Sequence, residues 1–92
     1  LGQYERADAI FAEILQSRQL KPRLRTEVEG CAAAGLINQG RLDEAEAMLR
    51  RVLEAQPSQD TLVLAESNLS VVHYFRNDYE RALEVARQAA GR

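Results

Sequence analysis

The chain has no tryptophan, one cysteine, one histidine and two prolines in 92 residues, and aromatic side chains make up only 5% of it. A single cysteine cannot form an internal disulfide, so apolar packing must hold the fold, and a reducing compartment such as the cytoplasm is expected. A single histidine among scattered carboxylates does not supply the three or four converging ligands that a metal site needs, and neither a metal nor a cofactor is expected. No apolar run approaches the roughly 20 residues of a membrane span. The N-terminus shows no basic segment leading into an apolar core, so neither an anchor nor a signal peptide is read. An excess of one charge is missing too. Twelve Lys and Arg stand against 14 Asp and Glu, interleaved, for a net charge of −2. That balance argues against nucleic acid or an anionic membrane surface as the partner. What remains is one soluble domain, burying roughly 60–70% of its unfolded surface.

What the chain does contain is a repeated pattern. Gly2-Gln3-Tyr4-Glu5-Arg6-Ala7 recurs as Gly40-Arg41-Leu42-Asp43-Glu44-Ala45 and again as Asn77-Asp78-Tyr79-Glu80-Arg81-Ala82, at spacings of 38 and 37 residues. Each block opens a segment of one apolar order: Ile10, Phe11, Ile14 and Leu15 match Met48, Leu49, Val52 and Leu53, then Val85, Ala86, Ala89 and Ala90. A period between 20 and 50 residues marks a repeat array. Leu1-Gly2 falls inside a repeat and without an initiator Met, which predicts a piece excised from a longer protein.

Local signals divide the array into five helices. Tyr4 to about Arg18 carries Tyr4, Ala7, Ile10, Phe11 and Ile14 at spacings of three and four, an amphipathic stripe. Pro22 suits the first turn of a second helix, where its missing N–H is no loss, and Leu24, Val28, Cys31, Ala32 and Leu36 form its apolar stripe. Gly40 ends that helix by supplying a left-handed cap. A third helix runs from about Leu42 to Gln56 and is stopped by Pro57. Ser58 or Asp60 then caps a fourth over about Asp60 to Arg76. Asn77 stands where the other units have glycine, as the residue that best tolerates the left-handed region. The fifth spans Asp78 to about Ala90. Connections this short make neighbours antiparallel hairpins. Reuse of one residue order at every second helix favours a stacked solenoid over a closed bundle, because only a solenoid gives each unit the same neighbours. Ala7, Ala45 and Ala82 share one site where helices are expected to cross closely, and Ala32-Ala33-Ala34-Gly35 invites close approach.

At these residues the chain resembles the tetratricopeptide repeat family. The second unit supplies Ala32, Ala33, Leu36, Gly40, Leu42, Ala45, Leu49, Val52 and Pro57 at the motif's spacings. The third supplies Leu69, Ser70, His73, Asn77, Tyr79, Ala82, Ala86 and Ala89, and the first retains only its second helix. The resemblance implies an all-α fold, a right-handed superhelix of antiparallel helix hairpins, with units over 1–20, 21–57 and 58–92. Two features depart from the motif. Glu29 and Glu66 occupy the place of an early aromatic, and the period exceeds the usual 34 residues by about one helical turn. That turn is expected before Leu24 and Leu64, in the first helix of each hairpin or the loop leading to it. Such long units resemble those of bacterial transcription activators of the maltose-regulator type and other helical sensor arms.

Catalysis is not expected. Cys31 and His73 are the one conceivable nucleophile and base, yet Cys31 falls on the expected buried stripe and His73 at a packing position between helices. The acids Glu5, Asp43, Glu44 and Glu80 recur with the repeat and read as helix-start electrostatics. Arg18, Lys21, Arg23 and Arg25 form the one basic cluster and read as a solvated loop and helix start. The stronger functional signal is the face that the first helices turn to the superhelical groove. The family's geometry places Glu27, Gly30, Ala34, Ile37 and Asn38 there in the second unit, and Leu64, Ser67, Val71, Tyr74 and Phe75 in the third. An exposed apolar stripe of this kind marks a binding groove or a missing neighbour. No Lys or Arg occupies these sites, so the carboxylate capture of the chaperone-binding relatives is not carried over. The expected function is a protein–protein interaction scaffold that receives an apolar or amphipathic peptide, anchored by Ile37, Leu64, Val71, Tyr74 and Phe75. The alternative is a structural spacer within a longer sensor or regulator arm, or self-association through exposed repeat ends.

Overall fold

The computed structural model describes residues 2–17 and 21–92, and the side chains of residues 5–17 and 21–92. Five α-helices follow one another: α1 (Gly2–Leu15), α2 (Pro22–Asn38), α3 (Leu42–Glu54), α4 (Gln59–Phe75) and α5 (Tyr79–Ala90). There is no strand among the described residues. Arg18 and the side chain of Tyr4 lie outside them.

The helix ends show why local residues suffice to place the turns. After α2 the amide of Arg41 donates to the carbonyl of Leu36 at 2.9 Å and that of Gly40 to Ile37 at 3.0 Å. After α4 the amides of Asp78 and Asn77 repeat the pattern onto His73 and Tyr74, both at 3.0 Å. This paired closure needs a left-handed residue at the second position past the helix, and Gly40 (φ 76°) and Asn77 (φ 63°) provide it. The end of α3 differs. Gln56 takes φ 51°, so the helix stops at Glu54, short of the expected Gln56. Pro57 follows without an amide, so the second bond of the pair has no donor. Ser58 caps α4 by accepting from the Thr61 amide at 3.4 Å, and Asp78 caps α5 by accepting from Arg81 at 3.4 Å.

Connections of three or four residues join α2 to α3, α3 to α4 and α4 to α5, which forces antiparallel neighbours. Each helix packs on the next, and α2 also packs directly on α4, whereas α3 and α5 do not meet. The first helices therefore form the closer-spaced, inner layer. A molecule of 38 × 31 × 17 Å is two helix layers thick and not a closed bundle. The first helices, at 17 residues, outrun the second helices, at 13 and 12. The surplus turn of the long period thus lies in the first helix.

The core runs through Ala33, Leu36, Ile37, Ala45, Leu49, Val52, Ala65, Leu69 and Val72. Of the shared alanine site, Ala45 and Ala82 are buried and Ala7 is half-buried. At Gly35 a Cβ would come within 2.7 Å of the Asp8 carboxylate, so the small-residue run does admit α1 closely. Of the expected stripes, Phe11, Ile14 and Val28 lie outside it and are half-buried. Ile10, Leu24 and Cys31 are exposed. Leu24 is in the first turn of α2, ahead of the buried residues of that helix, which begin at Gly30.

Glu29 and Glu66 compensate for the missing aromatic by pairing with arginines from the second helix or its exit. Arg51 reaches Glu29 at 3.2 Å, and Arg92 binds buried Glu66 through two bonds of 2.9 and 3.0 Å. Neither pair is legible in the sequence, because the partners lie 22 and 26 residues apart.

Candidate partner-binding surface

The chemistry of this surface begins with α4. Its buried face holds Thr61, Ala65, Glu66, Leu69, Val72 and His73. Leu64, Val71, Tyr74 and Phe75 lie on the opposite side and are exposed, the last two at 57% and 55%. Leucine, valine and two aromatics on a solvent face represent apolar area that folding has left in water.

Comparison of equivalent positions, 37 residues apart, divides the expected site in two. Asn38 and Phe75 are equivalent and both are exposed. Ala34 and Val71 are half-buried and exposed, and Glu27 and Leu64 likewise. These three pairs form the open surface of the inner layer. Ile37 and Tyr74 behave differently. Ile37 is only 7% exposed and belongs to the core, so it is not available as an anchor. Gly30 is buried as well, facing Thr61 and Leu64 of α4, whereas its equivalent Ser67 is exposed. In the second unit α4 lies against Gly30. No described helix does so for Ser67.

Asn68 was not among the expected residues. It lies between Leu64 and Val71 on the same helix, and its buried Nδ2 has no hydrogen-bond partner.

At the corner where α4 passes into α5, three aromatic rings collect. Tyr74 meets Phe75 with centroids 5.8 Å apart and Tyr79 with centroids 5.5 Å apart, both edge to face. Such pairing contributes about 0.5–1.5 kcal/mol beyond area burial. The left-handed turn at Asn77 brings Tyr79 back beside Tyr74, and the Tyr79 hydroxyl donates to Asn77 Oδ1 at 2.9 Å.

Charge surrounds this corner. Arg76, just past α4, pairs with Asp43 and Glu46 of α3, and Arg50 reaches Glu46 at 2.6 Å. Hydrogen bonds from Arg76 and then Arg50 hold the Glu46 carboxyl below its ordinary value. His73 lies beneath, buried, and desolvation pushes its imidazole below its ordinary value despite nearby Glu46. It packs between helices, as its position in the repeat implies.

The other candidates resolve into structural contacts. Arg25 donates to the carbonyls of Leu15 and Ser17 at 2.6 and 3.1 Å and so closes the end of α1. Arg23 is 3.8 Å from Glu27. Among the described residues no group of three or more His, Cys, Asp or Glu is placed to hold a metal ion. No helix among them is long and apolar enough to cross a membrane.

Two family models described as tetratricopeptide repeat match residues 30–51 and 67–92. The matched segments begin at equivalent positions, Gly30 and Ser67, well inside α2 and α4. No curated protein and no solved structure matches the chain.

Proposed function

The chain belongs to the tetratricopeptide repeat family, whose repeats generally mediate protein–protein interactions, and on that premise we propose that it is a scaffold binding an apolar or amphipathic peptide on its inner layer. The observation that carries the reading is the exposed stripe of Leu64, Val71 and Phe75 on α4. Its equivalents Glu27, Ala34 and Asn38 on α2 continue the surface, with Ser67 and Tyr74 at its edge. The partner would lie along the inner side of a right-handed superhelix built from units 1–20, 21–57 and 58–92. The apolar stripe would take apolar side chains of the partner. A cytoplasmic setting belongs to this reading, in keeping with the one free thiol, exposed Cys31.

The test is selection of peptide ligands on the whole chain, followed by Val71→Ser/Phe75→Ser. Aromatic anchors typically carry about 2 kcal/mol each, so the double variant should lose the selected peptides while its melting temperature stays near that of the parent. Peptides bound equally well by the variant would refute the groove.

One observation favours a second reading for part of the surface. Ile37 is buried while its equivalent Tyr74 is exposed, the contrast a following unit packed on Tyr74 would remove. On this reading the repeats are spacers in a longer sensor or regulator arm, or they associate with one another end to end.

A further inference from the structure

The outer side of α5 is chemically unlike the same side of the helix it repeats. Leu42, Glu46, Leu49 and Leu53 form one stripe on α3, and α4 covers it: Leu49 is fully buried, and Glu46 pairs with Arg76 just past α4. The first unit ends in the same kind of polar tie, with Asp8 of α1 accepting from Gln39 just past α2. The third member of that series, 37 residues after Glu46, is Leu83. It is 52% exposed. The α5 stripe is therefore Tyr79, Leu83, Ala86 and Ala90, apolar at all four positions and exposed at all four. Its spacing of four, three and four is that of a helix seam that meets another helix.

We propose that this stripe is the interface of a two-fold homodimer in which α5 pairs antiparallel with α5 of a second copy. The argument is self-complementarity. A two-fold axis passing between Glu84 and Val85 sets Tyr79 opposite Ala90 of the second copy and Leu83 opposite its Ala86. Each large side chain then meets a small one, twice over by symmetry, as an isologous contact requires. The charges agree with the shape. Glu80, Glu84 and Arg87 are exposed along one edge of the stripe, and the two-fold brings that edge against its copy. Arg87 then lies along the axis between Glu80 and Glu84 of the opposing helix. A parallel pairing would instead oppose Tyr79 to Tyr79 and Glu80 to Glu80. The polar tie that joins earlier units is absent where the dimer would form, and leucine stands in its place. This proposal rests on the reading of self-association through repeat ends and is independent of the α4 groove.

Sedimentation of the whole chain over micromolar to millimolar concentrations tests it. The parent should dimerise, and Leu83→Glu, which restores the acid of the earlier unit, should be monomeric throughout with unchanged helicity. Glu80→Arg alone and Arg87→Glu alone should each lose the dimer, because each places like charges at both symmetric contacts. Mixed in equal amounts they should recover it as a heterodimer, with both contacts between positions 80 and 87 again of opposite sign. That recovery also proves both variants folded. A parent that stays monomeric would overturn self-association altogether. A dimer that survives Leu83→Glu, that is lost in Ile10→Glu on α1, or that is not recovered on mixing would place the contact elsewhere and overturn this interface. Peptide capture that persists in Leu83→Glu would show the α4 groove to be a separate surface.

Discussion

The hairpins α2–α3 and α4–α5 share one residue pattern and one turn geometry, yet equivalent positions in them have opposite environments. Ile37 is in the core while Tyr74 is in water, and Leu49 is sealed while Ala86 is open. The difference lies in the neighbour. A following first helix covers the α2–α3 hairpin, and no described helix covers α4–α5. Burial in a repeat array is thus a property of the stack, and each unit's contribution to stability depends on the next.

The largest effect that can break this comparison is at the paired sites Leu49 and Ala86. Leu49→Ala should cost about 2–5 kcal/mol, since it empties a site with no exposure. Ala86→Leu should stay within about 0.5 kcal/mol in the monomer, as a surface change. Thermal melts of both variants decide it. Equal costs would mean that α5 is covered after all.

A smaller contrast concerns the two glutamates that replace the family's aromatic. Arg92→Ala strands the buried Glu66 carboxylate without its two bonds, and leaving such a group unpaired destabilises the fold. Arg92 is itself exposed, which moderates the loss. Arg51→Ala removes a pair with Glu29 that sits nearer the surface, and should cost at most about 0.5 kcal/mol. Chemical denaturation of the two variants would expose a reversed order.

The smallest effect is in pH. His73 titrates below its ordinary 6.5 in the folded chain because burial disfavours the imidazolium. The unfolded chain therefore binds the proton more readily. Stability is at its full value above 6.5 and falls as pH drops from there toward the lowered folded value. Glu46 acts in the same direction further down. Its contribution is present above 4.5 and is lost as pH falls through its depressed value. Melts taken from about pH 8 to about pH 5 should show a decline that His73→Gln removes. A decline retained by that variant would assign it to other groups.

The helices and turns were legible in advance because their signals are local. Pro22, Gly40, Ser58 and Asn77 each act on the backbone within a turn of where they stand, and all four do in the fold what their chemistry requires. Gln56 was not legible, because a left-handed glutamine before proline carries no compositional mark. Exposure along the expected face was half legible. Leu64, Val71 and Phe75 are as exposed as expected, but Ile37 is buried, and Cys31 is on the surface. A helical stripe states which residues share a side of a helix and not whether another helix lies against that side.

By itself, then, the amino-acid order determined the five helices, their antiparallel hairpins and their stacking, since period, caps and small residues act through bonds and contacts near in the chain. Only the tertiary structure decided which apolar side chains are core and which are surface, and which arginine answers Glu29 or Glu66. Those outcomes depend on distances between residues 22 or more apart, which no local pattern encodes, and on whether a further helix arrives to exclude water.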